Sequence, residues 1–132
     1  MSRENVEVVR RFIQAWNERD SETLAELTHP EGEIVLPRNL LEGGSYLGPD
    51  GARRALADAM ETWDEVHIEI EATREIGDQV AVLARTVNTA KRGGPRTEYK
   101  PAYLMRLRGG KLVYLQPFMS HPEALEAVGL SE

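Results

Sequence analysis

The feature that most constrains this chain is a change of period near residue 65. Val66, Ile68, Ile70 and Ala72 alternate with His67, Glu69, Glu71 and Thr73, the pattern of a strand with one buried and one wet face. Gly77-Asp78 turns that strand, a second runs roughly 79 to 91, and GGP at 93–95 turns the chain again. Strands near 98 to 108 and 111 to 119 are joined by Gly109-Gly110, a two-residue hairpin signal. Before residue 65 the apolar residues recur at helical spacing instead. Val6, Val9, Ile13 and Trp16 stand behind Ser2, an N-cap type, with Glu4 in the first turn, which predicts a helix over roughly 3 to 18. Asp20 caps a second, shorter helix whose Leu24 and Leu27 face inward and which Pro30 and Gly32 end. A short strand, EIVLP at 33–37, follows. Gly48 and Pro49 then open a third helix with Ala52, Ala55, Leu56, Ala59, Met60 and Trp63 in one apolar stripe.

Helices first and a meander of long strands afterwards argue for an α+β fold, three helices laid against one face of a curved, mostly antiparallel sheet. A two-residue turn pairs Arg108 with Lys111 and so sets the parity of the last hairpin. Tyr103, Met105, Tyr114, Gln116 and Phe118 are then expected on one face, and Leu104, Val113, Leu115, Pro117 and Met119 on the other. Leu83 or Val82 joins one side or the other. Both faces are too apolar for water, and three helices cover only one. A second copy of the chain, in a twofold homodimer, is expected on the outer sheet face.

The totals narrow the function. With 132 residues, 41% hydrophobic and 29% charged, the chain reads as a single domain, 1–132. It has no apolar run near the roughly 20 residues that span a bilayer, and no secretory signal is visible, so a cytoplasmic location is expected and no membrane contact. Zero cysteines exclude disulfides, thiolate nucleophiles and Cys metal sites. A net charge of -6 opposes a nucleic-acid partner, and the basic KRGGPR at 91–96 reads as a solvated turn. His29, His67 and His121 lack metal-ligand spacing, so neither a metal nor a cofactor is expected.

Four stretches, in this order and spacing, carry a resemblance: VVRRFIQAWNERD, GGSYLGPDGARRAL, EIGDQVAVLAR and LMRLRGGKLVYLQPFMSHPEALEAVGL. Together they resemble the nuclear transport factor 2-like superfamily and, within it, the SnoaL-like domains. The resemblance implies a cone of helices packed on a curved sheet, usually dimeric, around a deep apolar cavity. It implies no single reaction, since the superfamily holds ketosteroid isomerases, polyketide cyclases, epoxide hydrolases, dehydratases and non-enzymatic binders. An isomerase needs a carboxylate base and an oxyanion hole of a Tyr and a protonated Asp. Those positions match Phe12, Leu36 and Tyr103 here, and of these Tyr103 alone still donates a hydrogen bond. The acid of the cyclases falls on Ser120, whose hydroxyl titrates far above neutral pH. The paired acids and bridging Arg of limonene epoxide hydrolase have no counterpart on the strands.

Ser120 and His121 invite a nucleophile-and-base reading. Adjacent residues at a strand end point to opposite faces, however, whereas Ser120 with Glu123 forms a capping box, Pro122 fits a first turn and Gly129 ends a short C-terminal helix. His67 and His29 read as surface residues. Gly43, Gly44 and Gly48 form an ordinary turn before the third helix. Tyr46, with Glu42 and Arg38 nearby, is placed by the same pattern either at the surface or at a cavity mouth.

The leading expectation is a small, mostly apolar ligand in a cavity lined by Phe12, Trp16, Leu36, Tyr46, Trp63, Tyr103, Met105, Tyr114, Gln116 and Phe118, with Tyr103 and Gln116 orienting it. Phe12, Trp16 and Trp63 also fit a plain core. The alternative is an isomerase, cyclase or hydrolase whose acid is Glu42, with Tyr103 or Tyr114 as donor. A third is a dimeric interaction module with a filled cone. Cavity volume separates the first from the third, and a carboxylate in the cavity separates the first from the second.

Overall fold

Residues 2–35 and 45–129 are described by a computed structural model. The order is α1 (Ser2–Asn17), α2 (Ser21–Glu26), β1 (Thr28–Val35), β2 (Ser45–Leu47), α3 (Gly48–Thr62), β3 (Trp63–Ile76), β4 (Gln79–Ala90), β5 (Arg96–Tyr99), β6 (Ala102–Arg108), β7 (Lys111–Phe118) and α4 (His121–Ala127). The strands form one curved sheet in the order β2-β1-β7-β6-β4-β3, with β5 paired to the far half of β4. Among the described residues, only β1 and β7 run parallel; the other pairs are antiparallel. The helices, then strands, then a short closing helix therefore appear as the period change requires. No helix among the described residues is long and apolar enough to cross a membrane.

Local chemistry accounts for the joints. Asp20 caps α2, its carboxylate accepting from the Thr23 backbone N–H at 3.1 Å and the Thr23 hydroxyl at 2.6 Å. Pro stands in the first turn of α3, where a missing N–H removes no helical bond. Gly109 and Gly110, at φ 61 and 78, make the tight turn before β7. At the end of α1, Asn17 clamps the outer edge of β3. Its Nδ2 donates to the Ile68 carbonyl at 2.8 Å and its Oδ1 accepts from the Ile68 N–H at 2.9 Å.

Several expectations shift. Pro30 and Gly32 do not end α2; they lie within β1, which begins at Thr28 because Thr28 already pairs with Leu112. An irregularity between Thr28 and Glu33 lets a proline sit in a strand without losing a ladder bond. The expected strand over 98–108 is two strands, interrupted before Pro101. β3 is bulged between Ile70 and Ala72, so Ala72 is exposed and Thr73 takes the inward position opposite Val82.

The last hairpin carries the most consequential shift. Arg108 does pair with Lys111, but an irregularity between Arg106 and Leu107 skips Val113, after which Met105 faces Leu115 and Tyr103 faces Pro117. One unpaired residue reverses every side chain beyond it. Leu115 and Pro117 therefore turn inward with Tyr103 and Met105, while Tyr114 and Gln116 lie on the outer face with Leu104. On that outer face α4 packs Ala124 and Leu125 onto Leu83 and Ala102 with Phe118 beside them, so part of it is covered from within the chain.

The core lies between the helices and the inner face. Val9 and Leu24 from the helices meet Val80, Val82, Met105 and Leu112 from the sheet, each with 0% exposure. Full burial of each such side chain stabilises the fold by about 1.5–3 kcal/mol.

Candidate functional site

Beyond that core the inner face does not close. A cavity of about 350 Å³ opens between α1, α3 and the sheet. Its apolar wall comes from three sources. Phe12, Ile13 and Trp16 recur at helical spacing on α1, Val66 and Ile68 alternate on β3, and Met105, Leu115 and Pro117 lie on the final hairpin. Met105 has no exposure and forms part of the floor.

Polar groups enter from two sides. On the sheet side, Thr86 and Asn88 are spaced by two on β4 beyond Val82 and Ala84, and so share their inward face. Tyr99 pairs across to Thr86, and the Tyr103 and Thr86 hydroxyls share a hydrogen bond at 3.3 Å. Burial pushes the Tyr103 phenol well above its ordinary value, with the neighbouring Tyr99 adding to the rise and the Thr86 bond opposing it. Burial likewise raises Tyr99, against a hydrogen bond from the Asn88 amide. Asn88 is only 8% exposed, and its Oδ1 is buried with no hydrogen-bond partner among the described residues. A buried acceptor left this way costs about 1–3 kcal/mol.

On the helix side, Tyr46 from β2 reaches α3 and its phenol donates to Asp58 Oδ2. Gly51 makes the approach possible, since a Cβ there would stand 2.7 Å from the Tyr46 carbonyl carbon. Burial, the Asp58 hydrogen bond and the Asp58 charge together push the Tyr46 phenol up to about 12. Arg54, 5.6 Å from the Tyr46 ring centroid, opposes that rise. Thr62, one turn beyond Asp58, donates its hydroxyl to the Asp58 carbonyl at 3.2 Å.

Of the residues expected to bind a ligand, Phe12, Trp16, Tyr46, Trp63, Tyr103 and Met105 line this cavity, and Phe118 borders it from the end of β7 while packing with α4 on the outer face. Tyr114 and Gln116 do not. The skipped residue in β7 puts them outside, where the Tyr114 hydroxyl donates to Gln116 Oε1 at 3.2 Å. Gln116 therefore cannot orient a ligand in the cone, and Tyr114 cannot serve there as a donor. Leu36 and Glu42 lie outside the described residues.

Sequence reasoning passed over Asp58, the acid that does reach the cavity wall. Its signal was present: Ala55, Asp58, Ala59 and Thr62 follow the i, i+3, i+4, i+7 spacing of one helical stripe, and all four line the cavity. Attention to acids on strands hid it. Thr86, Asn88 and Tyr99 were also missed, the last because the break before Pro101 decides which way it points.

Ser120 is a helix cap, its Oγ accepting from the Glu123 N–H at 3.3 Å. His121 Nε2 lies 2.9 Å from the Ala84 carbonyl, which only accepts, so that nitrogen carries a proton and is no base for Ser120. The three histidines sit apart, on β1, β3 and α4.

A family model described as a SnoaL-like domain matches residues 9–115. No curated protein matches the chain. Among solved structures, an NTF2-like protein of unknown function from Burkholderia pseudomallei superposes with a TM-score of 0.81 at 19% identity, covering 96% of this chain and 98% of its own. TerC, co-crystallised with polyporic acid, gives 0.80 at 23%, covering 93% and 96%. A hypothetical protein of ketosteroid isomerase-like fold from Catenulispora acidiphila, in complex with trimethylamine, gives 0.78 at 23%, covering 94% and 93%. At these identities the likeness is one of fold.

Proposed function

The chain belongs to the SnoaL-like domain family, and from that premise we propose that it binds a small, mostly apolar molecule in the cone. One observation carries the reading: a space of about 350 Å³ walled mainly by apolar side chains and reached by a few polar groups. That volume falls in the range of small-molecule sites, and the described side chains leave it unfilled, which argues against an interaction module with a packed cone. Neighbours of this fold hold ligands as different as trimethylamine and polyporic acid, so the lining of this chain, rather than the fold, selects the guest. Trp16 and Trp63, the two tryptophans of the chain, both line the cavity. An apolar guest is therefore expected to change the intrinsic fluorescence saturably. A panel of small hydrocarbons and phenols giving no saturable change would reject the proposal.

A second reading, proton transfer, is favoured by Asp58. Its carboxylate reaches the wall of the cavity beside a phenol whose raised value keeps the Tyr46 proton in place at neutral pH. Such a carboxylate can accept a proton from a bound carbon acid. The test is deuterium exchange at the carbon beside the carbonyl of a bound ketone. The wild type is expected to accelerate it and Asp58→Asn to abolish the acceleration; equal rates in both proteins sink this reading.

We also propose a twofold dimer through the outer sheet face, supported by the half-buried Leu104, Tyr114 and Gln116 that α4 leaves without cover. Sedimentation equilibrium at micromolar concentration tests it, and a monomer there would refute it.

A further inference from the structure

The polar groups of the cavity are unequal in kind. Among the described lining residues there is one carboxylate, Asp58, and no Lys, Arg or His. On the α3 side each hydroxyl hydrogen is already engaged, the Tyr46 phenol on the Asp58 carboxylate and the Thr62 hydroxyl on the Asp58 carbonyl. The oxygens of that wall therefore offer a guest acceptors rather than donors. A second acceptor, Asn88 Oδ1, is buried without a partner on the sheet side. α3 also ends at this wall with no basic residue in its last turn, so the negative end of its dipole is not answered by a side chain of that turn. Trp16 and Trp63 line the same space, and aromatic faces attract cations. Two nearby cations are engaged outside the lining: Arg54 lies over the Tyr46 ring, and Arg19 donates to the Asp64 carbonyl.

We infer that the guest is a small lipophilic cation, a quaternary ammonium or an amine carried as its ammonium form, with its nitrogen at Asp58 and its hydrocarbon part against Ile34, Val66 and Leu115. This rests on the ligand-binding reading above and adds the sign of the charge. A carboxylate guest would meet the Asp58 charge with no cation among the described lining residues to offset it. A neutral guest of the same shape would bury the same area without the attraction.

Three probes of similar shape separate the cases: phenyltrimethylammonium, tert-butylbenzene and benzoate, each titrated against the full chain by tryptophan fluorescence. The ammonium is expected to bind about tenfold tighter than tert-butylbenzene, and benzoate to bind weakest. Asp58→Asn is expected to remove the ammonium preference, bringing the phenyltrimethylammonium and tert-butylbenzene affinities together, and Asp58→Glu to retain it. Asp58 is exposed on its helix, so a melting curve matching the wild type confirms that each variant is folded. Equal binding of the ammonium and its neutral isostere, or a preference that survives in Asp58→Asn, overturns the inference while leaving a ligand-binding cone in place. Binding of none of the three removes the ligand-binding reading, and this inference with it.

Discussion

The two ends of β4 belong to different materials. Val80, Val82 and Ala84 are buried in one packed cluster with Val9, Leu24 and Leu112. Two residues further on, the same inward face carries Thr86 and Asn88 and looks into open volume. One strand thus supplies both a packed end, where each methyl group adds to stability, and a hollow end, where a buried acceptor is kept at a cost to stability. The packed core and the cavity wall are allotted to different lengths of one strand, so the hollow end can change its polar groups without loosening the packed one.

Substitutions test how sharp that division is. Leu24→Ala at the packed end is expected to have the largest effect, a loss of about 2–5 kcal/mol in urea unfolding, because the surroundings are too full to collapse. A loss below about 1 kcal/mol would mean that the packed end is hollow too. At the other end, Asn88→Leu is expected to raise stability by about 1 kcal/mol, since it removes a buried acceptor without a partner. A fall of that size instead would make Asn88 part of the structural core and break the comparison.

Smaller effects follow from the ionisable groups. Hydrogen bonds from the Thr23 hydroxyl and then the Thr23 N–H hold Asp20 below its ordinary value of 3.8, so its contribution to folding is present above that value and lost as pH falls through the lowered one. Asp20→Asn should therefore be less stable than wild type at neutral pH and equal to it in strong acid. A gap that does not close on acidification would show that the capped helix gains nothing from the charge. At the hollow end, Tyr46 should be the spectrophotometric phenol ionising near 12, and Asp58→Asn should move it back towards 10. Its raised value implies stability present below 10 and lost as pH rises through about 12. A Tyr46 titration unmoved in Asp58→Asn would break the pairing across the cavity mouth.

The helices and long strands were legible because period reports which face is buried, and the order of those faces yields an α+β cone. The site was legible only where that rule runs uninterrupted. Phe12 and Trp16 lie on the apolar stripe of α1 and Trp63 directly follows α3, so helical spacing alone places them on the inner side. Tyr114 and Gln116 were misplaced because parity counted from the Gly109-Gly110 turn cannot register a skipped residue at Val113. Bulges depend on how two strands accommodate one another's twist, which is tertiary information. Asp58 was hidden differently: an acid on an apolar helical stripe looks like the edge of the solvated face until the sheet opposite is seen to stand away from it.

The Asn17 clamp on Ile68 reaches beyond the single molecule. β3 is the last strand of the sheet, and a free edge is a template on which another chain can add itself. The Asn17 amide presents Ile68 with the donor and acceptor that an incoming peptide group would bring, and so stands in as a counterfeit neighbour one residue long. A stranger seeking to extend the sheet finds that rung of the ladder already taken. A side chain whose first role is to fasten a helix to its own sheet thus also closes one rung of that edge to a second chain.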